Sequence, residues 1–182
     1  LRFVGDDGYL DLARRIRDGV HRLVSGVSEI PELTVLGRPD FALVAVASRE
    51  AGIFHVADEM KARGWEIQVQ LGHKGRPPNL HFLVSRGNSL RLDELLRDLR
   101  VSVRLAKKSE PGPLRAMAAE LLSSGVPGPD VFRELLAAVG VRGARLPERR
   151  AEIYELMQEF PREWVRSVVL EYFSEAFTPA AA

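Results

Sequence analysis

Cysteine is absent from the 182 residues. Disulfides, thiolate zinc sites and cysteine nucleophiles are thereby excluded, and the composition suits a reducing compartment; a cytoplasmic location is the expectation. An excess of one charge is also missing. Lys and Arg total 26 against 25 Asp and Glu, a formal net charge of +1, which makes no electrostatic case for nucleic acid as a partner. No apolar run approaches the roughly 18 to 20 residues that span a bilayer, and no signal-peptide pattern is present. Of the histidines His21, His55, His73 and His81, no two have the spacing of a metal-ligand pair on one helix. There is no Gly-x-Ser-x-Gly elbow and no phosphate-cradling glycine loop. The carboxylates are scattered, so no acid/base pair stands out.

What is present is ordinary globular material. Hydrophobic residues make up 46% and charged residues 28%, which rules out a disordered chain or a fibrous repeat. The length suits one domain, or one domain with an appendage. The chain opens on Leu1-Arg2-Phe3-Val4 and reads as if cut from something longer. The small-residue tail from Thr178 to Ala182 should fray.

Asp6 and Asp7 stand where a helix N-cap belongs. Leu10, Ala13, Ile16, Val20, Leu23, Val24 and Val27 follow at spacings of three and four, one apolar stripe on a helix of about five or six turns. Leu33 to Gly37 is a short β-rich run, and Arg38-Pro39-Asp40 is a turn. Phe41 to Ala47 is almost wholly apolar, as a strand buried on both faces would be. Ile53, Phe54, Ala57 and Met60 mark a helix that stops at Gly64. Trp65 to Gln70 alternates with period two, and Leu80 to Val84 is the next strand. Asn88 or Ser89 can cap a helix carrying Leu92, Leu95, Leu96, Leu99 and Val103. This order predicts an α+β fold: a four-stranded, mostly antiparallel sheet with helices on one face. A face left free would then want a partner.

The character changes after Lys107-Lys108-Ser109-Glu110-Pro111-Gly112-Pro113, which reads as a linker. The expected division is residues 1–108 as a small α+β domain with its leading helix, and 113–178 as a helical extension. Breakers at Val126 to Pro129 and at Gly143 to Pro147 keep the later helices short. Short helices of this kind are expected to wrap a larger body instead of forming a free bundle. The last helix should start at Pro161. It carries Trp164, Val165, Val168, Val169, Tyr172, Phe173 and Phe177, more apolar surface than one stripe needs.

The segment Gln68 to His81 is the most suggestive for function. It joins two predicted antiparallel strands, and such loops often hold functional groups. His73, Lys74 and Arg76 could meet an anionic substrate, with Asn79 and His81 close behind in sequence. Equally, charge and proline can serve only to keep a solvated hairpin soluble and stiff, and a lone strand histidine can be structural.

An ordered series of motifs now bears on identity: Arg38-Pro39-Asp40-Phe41-Ala42-Leu43-Val44-Ala45-Val46, Ile53-Phe54-His55-Val56-Ala57-Asp58-Glu59-Met60, Arg63-Gly64-Trp65 and Pro77-Pro78-Asn79-Leu80-His81. Between about Gly8 and Val103 the chain resembles the C-terminal part of sphingosine-1-phosphate lyases, group II pyridoxal-phosphate decarboxylase-like enzymes. Tyr154-Glu155-Leu156-Met157 and the last helix are similar to that family's end in general style. The resemblance implies the small C-terminal domain of a type I pyridoxal-phosphate enzyme. It implies a large cofactor domain of the same enzyme as partner, a homodimer, and a small-molecule or lipid-phosphate substrate. The reaction implied is retro-aldol cleavage of a phosphorylated long-chain amino alcohol to an aldehyde and phosphoethanolamine. The family's cofactor lysine would lie upstream of Leu1, so no catalytic or cofactor-binding residue is expected here. His73-Lys74 imitates the family's His-Lys pair but precedes Pro-Pro-Asn-Leu-His, which makes it a small-domain loop. His73, Lys74, Arg76, Asn79 and His81 are the candidate substrate-binding residues. An amino-acid decarboxylase of the same superfamily, or a stand-alone α+β dimerisation or binding module, would share these features.

Overall fold

The computed structural model describes residues 4–109, 112–125, 129–143 and 145–178. The first three residues, part of the expected linker (110–111), most of the Val126–Pro129 breaker, Ala144 and the tail from 179 lie outside the described residues. The chain divides into two compact units, Leu1–Ser109 and Glu110–Ala182.

The first unit opens with α1 (Gly5–Ser28). Asp6 and Asp7 fall in its first turn and the cap position is Val4, without a side-chain capping bond. The two acids therefore complement the helix dipole and do not cap it, a correction to the sequence reading. The stripe is buried in its second half, through Val20, Leu23 and Val27, whereas Tyr9 and Leu10 are exposed. At Gly26 the helix lies so close to α3 (Leu92–Ala106) that an added Cβ would stand 2.7 Å from Leu96 Cδ2.

The strands are β1 (Leu33–Leu36), β2 (Leu43–Ser48), β3 (Gln68–Gln70) and β4 (Asn79–Leu83), in the order β1-β2-β4-β3 with every pair antiparallel. The helix α2 (Ile53–Lys61) carries the chain from β2 across β4 to β3. Register places Val35, Val46, Leu80 and Val69 in one row. With Val44 and Phe82 they make the face on which the helices pack: α1 contacts β1 and β2, and α2 contacts β4 and α3. Val44, Val46 and Leu80 are 0% exposed.

The opposite face carries Leu43 paired with Leu83, which are 44% and 61% exposed. The continuous apolar run at 41–47 is therefore not a strand buried on both faces along its length. Its alternate residues point away from the helices, and at the Leu43 end nothing among the described residues covers them. Two boundaries also moved. The third strand is short, Gln68–Gln70, and Trp65 ahead of it is buried. Asn88 does not cap α3: its Oδ1 accepts from Ser85 N at 2.8 Å and its Nδ2 donates to Leu83 O at 2.7 Å. A 3-10 turn, Ser89–Arg91, then leads into α3.

The second unit holds α4 (Pro113–Ser123), α5 (Pro129–Ala138), α6 (Ala151–Glu159) and α7 (Arg162–Phe177). Pro161 is the cap residue of α7 and not its first turn. These helices, expected to wrap a larger body instead of forming a free bundle, gather a core of their own: Ala118, Phe132, Leu135, Leu136, Ile153, Leu156, Phe160 and Val165. The Phe132 and Phe160 rings lie 4.8 Å apart. The buried Glu155 carboxylate accepts from Gly112 N at 2.9 Å, which fixes the entry to α4 against α6. On α7, Val165 is buried, Trp164, Val168, Val169 and Tyr172 are half-buried, and Phe173 and Phe177 are exposed.

Candidate functional site on the β3–β4 hairpin

The loop between β3 and β4 is a second, smaller hairpin stacked on the first. His73 N donates to Arg76 O and Arg76 N donates to His73 O, both at 3.0 Å. Lys74 (φ +49°) and Gly75 (φ +78°) form the two-residue tip. Positive φ at both central positions is the geometry that matches the twist of a hairpin, and Gly75 takes it without steric cost. His73, Lys74 and Arg76 are all exposed at this tip. Pro77 and Pro78 then carry the chain into β4, where their fixed φ favours extended backbone.

Asn79 and His81 are placed differently. Asn79 pairs with Gln70, and His81 with Gln68. Period two puts all four on the sheet face turned away from the helices. Asn79 is buried; its Nδ2 donates to Pro77 O at 3.1 Å. Its Oδ1 is buried with no hydrogen-bond partner among the described residues, an arrangement that costs about 1 to 3 kcal/mol when nothing else satisfies the acceptor. His81 is half-buried and, with Gln68, lines a cleft of about 360 Å³ at the end of the sheet. Trp65, Ser85 and Asn88 share that cleft, and Leu23, Leu92 and Leu95 add apolar lining.

The five candidate residues thus form two groups: a cationic tip, and a strand pair of which His81 reaches a cleft that the tip residues do not line. Gln68 and Gln70 were missed as members of the second group. Their alternation was visible, but their partners depend on the register of the β3–β4 hairpin. A further polar cluster went unread. Trp65 Nε1 donates to Asp98 Oδ2 at 2.8 Å, and the Arg91 guanidinium lies 4.6 Å from the indole centroid. Arg91 is also held by Glu94 at 2.8 Å, so its charge is fixed in place over the ring.

The residues present do not fit a covalent cofactor cradle. The chain has four lysines, Lys61, Lys74, Lys107 and Lys108. Lys107 is bound by Glu32 and Glu50, both at 3.0 Å, Lys74 sits on the open tip, and Lys108 is exposed. Lys61 ends α2, and none of the four lines the cleft beside His81. Among the described residues no group of three or more His, Asp or Glu is arranged to hold a metal ion, and no helix is long and apolar enough to cross a membrane.

Comparison with known proteins agrees with this picture. Residues 111–175 match the family model described as "Pyridoxal-dependent enzyme, C-terminal putative HTH domain". The chain is 34% identical over 137 residues to a sphingosine-1-phosphate lyase of Arabidopsis thaliana, covering 74% of this chain and 24% of that protein. It is 33% identical over 135 residues to the corresponding lyase of Oryza sativa subsp. japonica, covering 73% and 24%. The solved Burkholderia pseudomallei sphingosine-1-phosphate lyase superposes with a TM-score of 0.54 at 29% identity, over 70% of this chain and 28% of that one. A Lactobacillus brevis glutamate decarboxylase shares the fold, with a TM-score of 0.51 at 13% identity over 60% and 27% of the two chains. The α+β unit and the helical unit together define the class: the C-terminal region of a pyridoxal-dependent enzyme. Within that class the chain is similar to the sphingosine-1-phosphate lyases, and it spans about a quarter of the length of the curated relatives it matches.

Proposed function

We propose that this chain is the C-terminal part of a pyridoxal-phosphate-dependent carbon–carbon lyase that cleaves a phosphorylated long-chain amino alcohol into a long-chain aldehyde and phosphoethanolamine. The observation that carries the reading is the 34% identity to a sphingosine-1-phosphate lyase over 74% of the chain. The matching fold at 29% identity supports it from the structural side. In this reading the cofactor supplies the carbon–carbon bond chemistry from a large domain upstream of Leu1. The present chain closes that site and contributes substrate contacts. The complete enzyme is a cytoplasmic homodimer, with no nucleic-acid partner. Acidic residues outnumber basic ones in the helical unit despite the helix-turn-helix description of its family.

The roles follow from placement. Lys74 and Arg76, exposed on a stiff tip, offer charge-assisted hydrogen bonds to a phosphate, with His73 beside them. His81 and Asn79 stand on the sheet face free of helices, where the buried Asn79 Oδ1 can accept from a donor outside this chain. These groups bind and orient, and none performs the bond cleavage.

The test is a full-length gene product assayed with both substrate classes. The expected outcome is cofactor-dependent aldehyde release from a phosphorylated long-chain amino alcohol. Carbon dioxide release from an amino acid instead would make the parent a decarboxylase, and neither activity would leave a binding or dimerisation module. In the active enzyme, Lys74→Ala with Arg76→Ala should raise KM more than it lowers kcat. Unchanged kinetics would return the tip to a solvated hairpin.

A further inference from the structure

We propose that the outer face of α7 is a self-association surface: it pairs antiparallel with α7 of a second copy of this chain and seats Phe177 of each copy at the apolar cleft of the other. Leu170, Phe173 and Phe177 recur at spacings of three and four, so they share one side of α7, and Arg166 and Ser174 fall on that side too. The three apolar residues are 57%, 49% and 79% exposed. This stripe is additional to the side that α7 turns into its own core through Val165. Phe173 and Phe177 stack with ring centroids 6.1 Å apart, which makes them one continuous ridge. The contact does not rest on the catalytic reading above, nor on the large domain expected upstream.

A second copy is singled out as the occupant by shape and by area. Phe173 also lines a cleft of about 230 Å³, with Leu136, Leu146, Met157, Val169 and Tyr172. An apolar cavity of about 150 Å³ is already enough to bind benzene, so the cleft has room for a phenyl ring. Phe177 does not line the cleft of its own unit. Knob and hole one turn apart on the same helix are complementary between copies. A two-fold axis near Phe173 and Ser174 sets Phe177 of each copy against Leu170 of the other, beside the cleft that Val169 and Phe173 border, and the assembly closes after two equivalent contacts. The small Ser174 at the axis lets the helices approach, and the exposed Arg166, one turn before Leu170, can cover the incoming ring by a cation–π contact. The stripe leaves roughly 400 Å² of apolar area open on each copy, an aromatic side chain being worth 150–250 Å² when buried. Two copies would bury about 800 Å² of it, and at an apolar share of about 65% the whole contact comes to about 1,200 Å². That is the lower bound of a specific interface and corresponds to a micromolar dimer, not an obligate one.

Sedimentation equilibrium of the 182-residue chain tests this directly. The expected result is a reversible monomer–dimer equilibrium in the micromolar range. Phe177→Asp, at an exposed position, should weaken it about tenfold or more, and Arg166→Gln about threefold. The seat of Phe177 is read with 13C-methyl methionine. The methionines are Met60, Met117 and Met157, and only Met157 lines the cleft. Dilution should shift the Met157 methyl resonance and leave Met60 unmoved, and Phe177→Asp should remove that shift. The two-fold is read by cross-linking, which the absence of cysteine makes clean. Ser174→Cys should be joined to itself by a short bis-maleimide, whereas Ser28→Cys, exposed on α1 of the other unit, should not. If Phe177→Asp does not fold, the cross-linking pair still decides. The proposal is overturned by a chain that stays monomeric at several times the micromolar range, by a dimer that Phe177→Asp leaves intact, or by cross-linking at position 28 as efficient as at position 174.

Discussion

At Gly26 α1 packs closely on Leu96 of α3, and the reason is the missing side chain. An added Cβ would press on the isobutyl group of Leu96, which is itself buried. A larger residue must displace Leu96 from the core, so Gly26→Val should destabilise the first unit by about 1 to 3 kcal/mol. Urea unfolding with an unchanged m-value would measure it, and a neutral result would mean that the helix can slide. A different residue-scale effect operates at Lys107. Its ammonium is held above the usual lysine range by hydrogen bonds to Glu50 and Glu32. The Glu32 carboxyl is held below the usual carboxylate range, chiefly by the hydrogen bond from Lys107. A depressed carboxyl contributes stability above its unfolded pKa and loses it as the pH falls through the folded one. A raised ammonium contributes below its unfolded pKa and loses it as the pH rises through the folded one. Lys107→Met should therefore lower the melting temperature near neutral pH, while the two proteins converge once Glu32 is protonated. All three groups are solvent-accessible, so molar salt should shrink the difference. An equal loss at every pH would assign the effect to packing.

At the scale of the element, the hairpin tip sets its own requirements. Gly75 lies at φ +78°, beside Lys74 at +49°. Gly75→Val would force a β-branched residue into the left-handed region, at a cost of about 1 to 2 kcal/mol. The expected outcome is faster amide exchange at Arg76 and His73, with global stability almost unchanged. Protected amides in that variant would show that the turn type had switched. The elements themselves were largely legible. The stripe through Val20, Leu23 and Val27, the alternation at Gln68 to Gln70 and the stripe of α3 follow from local periodicity, which is where side-chain burial leaves its mark. The exceptions have local causes. Asn88 looked like a cap because Asn favours caps, but its side chain instead closes the turn after β4. The apolar run at 41–47 looked buried on both sides because composition does not report which face is covered. The candidate site was only half legible. His73, Lys74 and Arg76 stand together because they are neighbours in sequence. Gln68 opposite His81 is set by the register of the β3–β4 hairpin, and a loop of this length leaves that register open in the sequence.

The whole molecule has two cores with no buried residue in common. One gathers Val44, Val46, Leu80, Leu99 and Val103 between sheet and helices, and the other gathers Phe132, Leu136, Ile153, Leu156 and Phe160 among α4 to α7. Cooperativity in unfolding follows shared burial, so each core should open as its own unit. Leu156 and Leu99 are both 0% exposed and sit in different units. Truncating either to alanine removes buried methyl groups and leaves a cavity, a change that costs about 2 to 5 kcal/mol. Native-state hydrogen exchange on the 182-residue chain can read the two separately. Leu156→Ala should accelerate exchange throughout α5, α6 and α7 and leave β2, β4 and α3 at their original rates. Leu99→Ala should do the reverse. If both variants speed exchange equally in both units, the cores are thermodynamically one, and the division seen in the packing has no counterpart in stability.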